Sequence, residues 1–206
     1  MDQSAFLITA FVTLFVVINP PGLVPLFIAL TRGMDDAHRR ALAQRSCLIA
    51  AALLTLFGLF GEGLLAFIGI SMPAFRIAGG ILLFLTALDM LFERRTQRRE
   101  GDEPAADHDP SVFPLATSLI AGPGAIASMI LLMDQAEDDW SLRLAVLGLL
   151  YAVTLATFLF FLAWAPLERL LGHTGTVVIT RLLGMLLAAL AVQFVIDGVR
   201  GTGLIG

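Results

Sequence analysis

Six apolar runs govern what this chain can become: residues 5–30, 47–70, 73–92, 112–133, 144–165 and 177–196, separated by short charged or turn-forming stretches. About 20 apolar residues wound as an α-helix cross the roughly 30 Å hydrocarbon core of a bilayer. Backbone N–H and C=O groups are satisfied there only within helices or closed barrels. One soluble core would not need this spacing, and 15% charged residues is far below the roughly 25% of soluble domains. The connections are too short for a further soluble domain, which starts at about 50 residues. The expected fold is therefore an all-α, six-span transmembrane bundle set in a lipid bilayer, with residues 1–92 as one three-helix unit, 93–111 as a cytoplasmic linker and 112–206 as a second unit. Met1-Asp2-Gln3-Ser4 lacks the positive charge that opens a signal peptide, so the first run is expected to stay as the first span.

Charge removes several function classes. All thirteen basic residues are Arg, so the phosphate-gripping Lys of a Walker A loop and a Schiff-base Lys are both missing. A formal charge of −4 is unlike the basic face of a nucleic-acid binder. Cys47 is alone, and His38, His108 and His173 fall in predicted loops without metal-ligand spacing, so neither a thiolate nor a histidine metal site is expected. With no His in a span, an intramembrane Ser-His hydrolase has no base. The expectation is a protein that is not an enzyme and carries no cofactor or metal. The terminal Gly201-Thr202-Gly203-Leu204-Ile205-Gly206 matches G-x-G-x-x-G, but no helix follows it.

Loops rich in Arg stay in the cytoplasm. With six spans, Arg32, Arg39, Arg40, Arg45, Arg94, Arg95, Arg98, Arg99 and Arg169 fall on one side and Arg76, Arg143 and Arg200 on the other. This places both termini outside the cytoplasm. The alternative, in which each Pro-Gly break turns the chain back as a re-entrant hairpin, puts both termini inside. The acidic stretch of Asp134, Glu137, Asp138 and Asp139 favours the spanning version, which leaves it outside.

Two runs are interrupted alike, the first at Asn19-Pro20-Pro21-Gly22 and the fourth at Gly122-Pro123-Gly124. Arg76-Ile77-Ala78-Gly79 in the third run is echoed by Arg181-Leu182-Leu183-Gly184 in the sixth. Three spans per half force the second copy to enter from the opposite face, which makes an inverted repeat with broken first and fourth helices. Such repeats characterise secondary transporters, whose sites lie near the midplane between discontinuous helices. Proline removes a donor and glycine admits unusual dihedrals, and the backbone groups so freed need protein, water or solute beside them. Gly22 and Gly124 each lie about nine residues from the far end of their run, roughly 13 Å of helix. The half-helix beginning after each break offers a positive end to a carboxylate. The candidate substrate-binding residues are therefore Asn19, Pro20, Pro21, Gly22, Gly122, Pro123, Gly124, Ser118 and Ser128, with Arg76 and Arg181 read first as interfacial or helix-pairing and, as the functional alternative, as carboxylate-binding or gating residues. Glu62 is read as an interfacial charge ahead of a proton-coupling acid, Asp89 as a helix-end charge and Gln193 as a polar contact within the bundle.

These motifs, together with Pro25, Ala78-Gly79-Gly80, Ala121, Ala125-Ile126 and Ala191-Val192-Gln193 before Asp197-Gly198, resemble the MarC family of integral membrane proteins, grouped by name with neutral amino acid transporters. Ser118 departs from the Pro that the family's pattern suggests at that position. The resemblance covers nearly the whole chain and implies a six-span protein of the bacterial inner membrane, with periplasmic termini on the orientation above. The expected function is secondary transport or export of a small solute such as a neutral amino acid, by alternating access around the paired breaks and with H+ or Na+ as coupling ion. A non-transporting scaffold or partner subunit is the alternative. Homo-oligomerisation is compatible with the sequence, and no nucleic-acid partner is expected.

Overall fold

A computed structural model describes residues 3–92, 111–136 and 139–203. The linker basic residues Arg94, Arg95, Arg98 and Arg99, with His108, lie outside the described residues. The described chain is helical: α1 (Gln3–Ile18), α2 (Pro20–Leu30), α3 (Asp36–Ile68), α4 (Met72–Leu91), a π-wound segment α5 (Ser111–Ile120), α6 (Pro123–Gln135), α7 (Trp140–Leu162) and α8 (Trp164–Gly201). Five helical stretches are long and apolar enough to cross a bilayer: Gln3–Leu30, Asp36–Ile68, Met72–Leu91, Trp140–Leu162 and Thr174–Gly201. The fourth apolar run is different. It is divided into α5 and α6, of 10 and 13 residues, and neither alone covers the roughly 20 residues a span requires.

Helix boundaries follow local chemistry. Asp35 accepts from the His38 amide at the start of α3, so helix begins well before the apolar run, and Arg39, Arg40 and Arg45, expected in a loop, lie on its first turns. Gly69 ends α3 at φ 84°, a dihedral that favours glycine. Ser71 caps α4 through the Ala74 amide, and Asp139 caps α7 through the Ser141 and Leu142 amides. In α8 the helix is kinked at Gly172, φ 58°.

Both capping aspartates lie outside the spans, and both carboxyls are held below their ordinary range: Asp35 by the His38 amide and ring, Asp139 by the Ser141 hydroxyl and amide. A lowered native pKa contributes stability that is full above the ordinary carboxylate value of about 3.9 and is lost as pH falls through the lowered one. Acidification below about pH 4 is accordingly expected to fray the first turns of α3 and α7 before the bundle opens. Hydrogen exchange at the His38, Ser141 and Leu142 amides checks this; unchanged protection would remove the carboxylates from the cap.

The helices separate into an inner and an outer set. In the span Gln3–Leu30, 61% of the most apolar window is buried, against 28–33% in the other four, and α6 is buried almost throughout. Around them α3, α4, α7 and α8 turn large apolar side chains outward, among them Phe60, Phe67, Leu85, Leu155 and Met185. An apolar exterior of this extent fits lipid and not water.

Glycines set the closest helix contacts. The Cα of Gly80 in α4 faces the Ala191 carbonyl of α8, 2.8 Å from where a Cβ would stand, and that of Gly198 in α8 faces the Pro73 carbonyl, at 2.9 Å. Gly184 likewise meets Ala87 and Met90. Since residue numbers rise along α4 as they fall along α8 in these contacts, the two helices are antiparallel. Gly58 and Gly61 of α3 receive Met129 and Ile130 of α6. Elsewhere α1 packs on α7, α3 on α5 and on α7, α2 on α7 and α8, and α4 on α6, with Phe27 of α2 stacked on Phe161 of α7 at 4.3 Å.

Candidate functional site

The two breaks have different chemistry. At the first, a single residue separates α1 from α2: Asn19 takes a left-handed conformation, φ 54° and ψ 62°, uncommon outside glycine but accessible to Asn. Its N–H still donates to Phe15, and its carbonyl accepts from Leu23 at 3.2 Å. The helix therefore steps and continues. Its side-chain Oδ1 accepts from the Gly22 amide at 3.3 Å. With Pro20 and Pro21 lacking N–H groups, this start of α2 has its early donors removed or paired, so it has little to offer an anion. The deficit falls on the other side. Pro20 and Pro21 stand where the Val16 and Val17 carbonyls would find their i+4 donors, and both valines are almost fully buried. The first break is thus a carbonyl-rich, cation-attracting end of α1.

The second break is an uncapped helix start. Gly122, extended at ψ 168°, precedes α6 without a side-chain cap, and Pro123 is the first helical residue. Ala121 donates to Ala116 in π register and Ile126 to Gly122. The amides of buried Gly124 and Ala125 lie between these two bonds, at the positive start of α6. Gly122 sits against the Ser118 carbonyl, 3.0 Å from where a Cβ would stand, whereas Pro123 is exposed.

The two ends are neighbours. A Cβ on Gly124 would stand 3.6 Å from Val17 Cγ1 of α1 and 3.2 Å from Thr86 Oγ1 of α4. At the first break, a Cβ on Gly22 would meet the Asn19 side chain and lie 3.0 Å from Thr180 Oγ1 of α8. Val17, Thr86 and Thr180 escaped the sequence reading because apolar and hydroxyl residues inside a span carry no local mark of a site.

The arginines are elsewhere. Arg76, in the first turns of α4, turns to the far end of α6, where its Nε donates to Asp134 Oδ2 at 3.1 Å and its Nη2 to the same oxygen. With side-chain exposures of 26% and 16%, this is a part-buried helix-pairing contact away from the break. Arg181 is exposed on α8 beside Thr180. Glu62 approaches Arg143 at 3.9 Å, and Gln193 donates to Asp197 within α8.

Three buried hydroxyls remain unpartnered among the described residues, Thr180 of α8 beside the first break and two others deeper in the bundle. Thr13 of α1 and Ser128 of α6 are both 0% exposed, and neither makes a hydrogen bond among the described residues. Each such group costs about 1–3 kcal/mol when buried dry. Among the described residues no three His, Cys, Asp or Glu side chains gather as a metal site.

A family model described as "MarC family integral membrane protein" matches residues 4–202. The chain belongs to the MarC family. Similar proteins include a UPF0056 membrane protein of Archaeoglobus fulgidus, 39% identical over 94% of this chain and 92% of its own. The UPF0056 membrane protein YhcE of Escherichia coli is 37% identical over 93% and 90%, and the UPF0056 inner membrane protein YhgN of the same species 34% over 94% and 96%. No solved structure matches the chain significantly.

Proposed function

We propose that this MarC-family protein is a secondary transporter or exporter of a small zwitterionic solute, of which a neutral amino acid is the simplest case, moved by alternating access around the paired breaks. The observation that carries this is the meeting of the carbonyl end of α1 with the amide end of α6 at Val17 and Gly124. A solute ammonium group suits the first and a carboxylate the second, as half-helix ends do in discontinuous transporter helices. In this reading α5 and α6 together make the fourth of six crossings, both termini are periplasmic, and the halves form an inverted repeat without enzymatic chemistry.

Part of the packing pattern supports the repeat, although α1 on α6 and α1 on α8 have no comparable counterpart among the described residues. Exchanging α1–α4 for α5–α8 converts α1 on α7 into α5 on α3, α2 on α8 into α6 on α4, and α2 on α7 into α6 on α3, while α4 on α8 and α3 on α7 map onto themselves. Each break thereby rests on the third long helix of the opposite half.

Proteoliposomes loaded with purified protein test the reading, using labelled neutral amino acids under imposed H+ or Na+ gradients. Saturable uptake is expected. The corresponding primary amine and 2-hydroxy acid, each lacking one charged group, should compete about tenfold or more weakly, the loss of one charge-assisted hydrogen bond. No uptake under any gradient would favour a scaffold role. Equal competition by the hydroxy acid would remove the carbonyl end of α1 from the site.

A further inference from the structure

We propose that the seam between α1 and α6 is the route by which the solute reaches the breaks from the face bearing Arg76 and Asp134, with Thr13 and Ser128 as its polar lining and the Arg76–Asp134 pair as the latch that holds it shut here. This rests on the transport reading above.

The register places the two hydroxyls together. The short connections before and after α3 make α4 parallel to α1–α2, and α6 runs antiparallel to α4, as the contacts of Arg76 with Asp134, Gly79 with Leu131 and Gly124 with Thr86 require. In antiparallel helices that touch at Val17 and Gly124, Thr13 lies one turn before the contact and Ser128 one turn after it, so both stand at one depth. The outward contacts of α6 leave Ser128 to this seam: Ala127 and Leu131 face α4, and Met129 and Ile130 face α3. Two fully buried hydroxyls without partners, from two helices at one level, are poor core design and good lining for a passage that is wet in another state.

The latch acts on a half-helix. One end of α6 is the break at Gly122, and the other is fixed to α4 by Asp134. Arg76 and Asp134 are partly exposed while Thr13 and Ser128 are not, which is the order expected of a mouth and a sealed passage. The same offset that relates Gly22 to Gly124 relates Thr13 to Leu115 and Ser128 to Leu26, so the equivalent positions of the other half are apolar.

Thr13→Cys and Ser128→Cys, each in a Cys47→Ser background, test this in right-side-out and inverted vesicles treated with a charged, membrane-impermeant thiol reagent. Both are expected to react from the Arg76 face only, and about tenfold faster when Asp134→Asn or Arg76→Gln is added, within the usual range of a coupling between a contact and a conformational equilibrium. The swap Arg76→Asp with Asp134→Arg should restore slow reaction, which a merely loosened fold would not, and Leu115→Cys should stay unreactive throughout. Failure of both hydroxyl positions to react in every variant, reaction from the opposite face alone, or equal reaction at Leu115→Cys would overturn the route. Because labelling needs no transport, a labelled passage without uptake would remove the transport reading and leave the route, and uptake without labelling the reverse.

Discussion

Gly80→Ala is expected to destabilise the bundle by about 2–3 kcal/mol, although alanine is the better helix former by about 1 kcal/mol. The added Cβ would stand 2.7 Å from Val195 Cγ2, 2.8 Å from the Ala191 carbonyl and 3.0 Å from the Val195 nitrogen. Backbone atoms cannot rotate aside as side chains can, so α4 and α8 must separate along the contact that joins the two halves. Gly63→Ala supplies the comparison. Nothing lies within 4 Å of its Cβ, and the same change there should be neutral or stabilising by up to about 1 kcal/mol. Denaturation of the two purified variants in detergent compares them directly; equal stabilities would mean that the α4–α8 contact is looser than described.

Gly124→Leu should reduce uptake about 100-fold or more while leaving insertion intact. The leucine side chain would press against Val17, Leu83 and Thr86, which already stand 3.2–3.6 Å from its Cβ, where α1's carbonyls and α6's amides converge, so it removes binding in ground and transition states alike. Gly22→Leu should also abolish uptake, by another route: its Cβ collides with the Asn19 side chain and displaces the cap that keeps α2 in line with α1. The distinction is one of degree in stability: both variants should lower the thermal midpoint, Gly22→Leu the more, because its Cβ collides with the Asn19 side chain whereas the nearest atom to a Cβ on Gly124 stands 3.2 Å away. Uptake at the original rate in both variants would remove the site from the breaks.

The breaks were legible because proline and glycine act on their own backbone: Pro20, Pro21 and Pro123 delete donors whatever surrounds them. Spans in residues 144–165 and 177–196 were legible for a similar reason, as length and apolarity suffice, although their helices extend further at one or both ends. What the residues at the first break could not disclose is that Asn19 would use its own side chain to satisfy Gly22. The partner of Arg76 was hidden too. Asp134 reads locally as one member of an acidic turn, and only the antiparallel packing of α4 and α6 brings the two charges together. Thr13 and Ser128 carry no signal in one dimension, because an unpartnered hydroxyl is a property of the neighbours that fail to bond it.

The division of the fourth apolar run has a consequence for biogenesis. A translocon passes a helix to lipid when its own length and hydrophobicity suffice, and α5 and α6 each fall short of that length. Nearly every residue from Gly124 to Met133 is covered by protein, and α6 takes its cover from α1, α3 and α4, all synthesised before it. Once in the membrane, this segment takes its cover from helices already there. The amino-terminal half is in that sense an assembly template for the carboxy-terminal one, and the order of synthesis is part of how the chain reaches its fold.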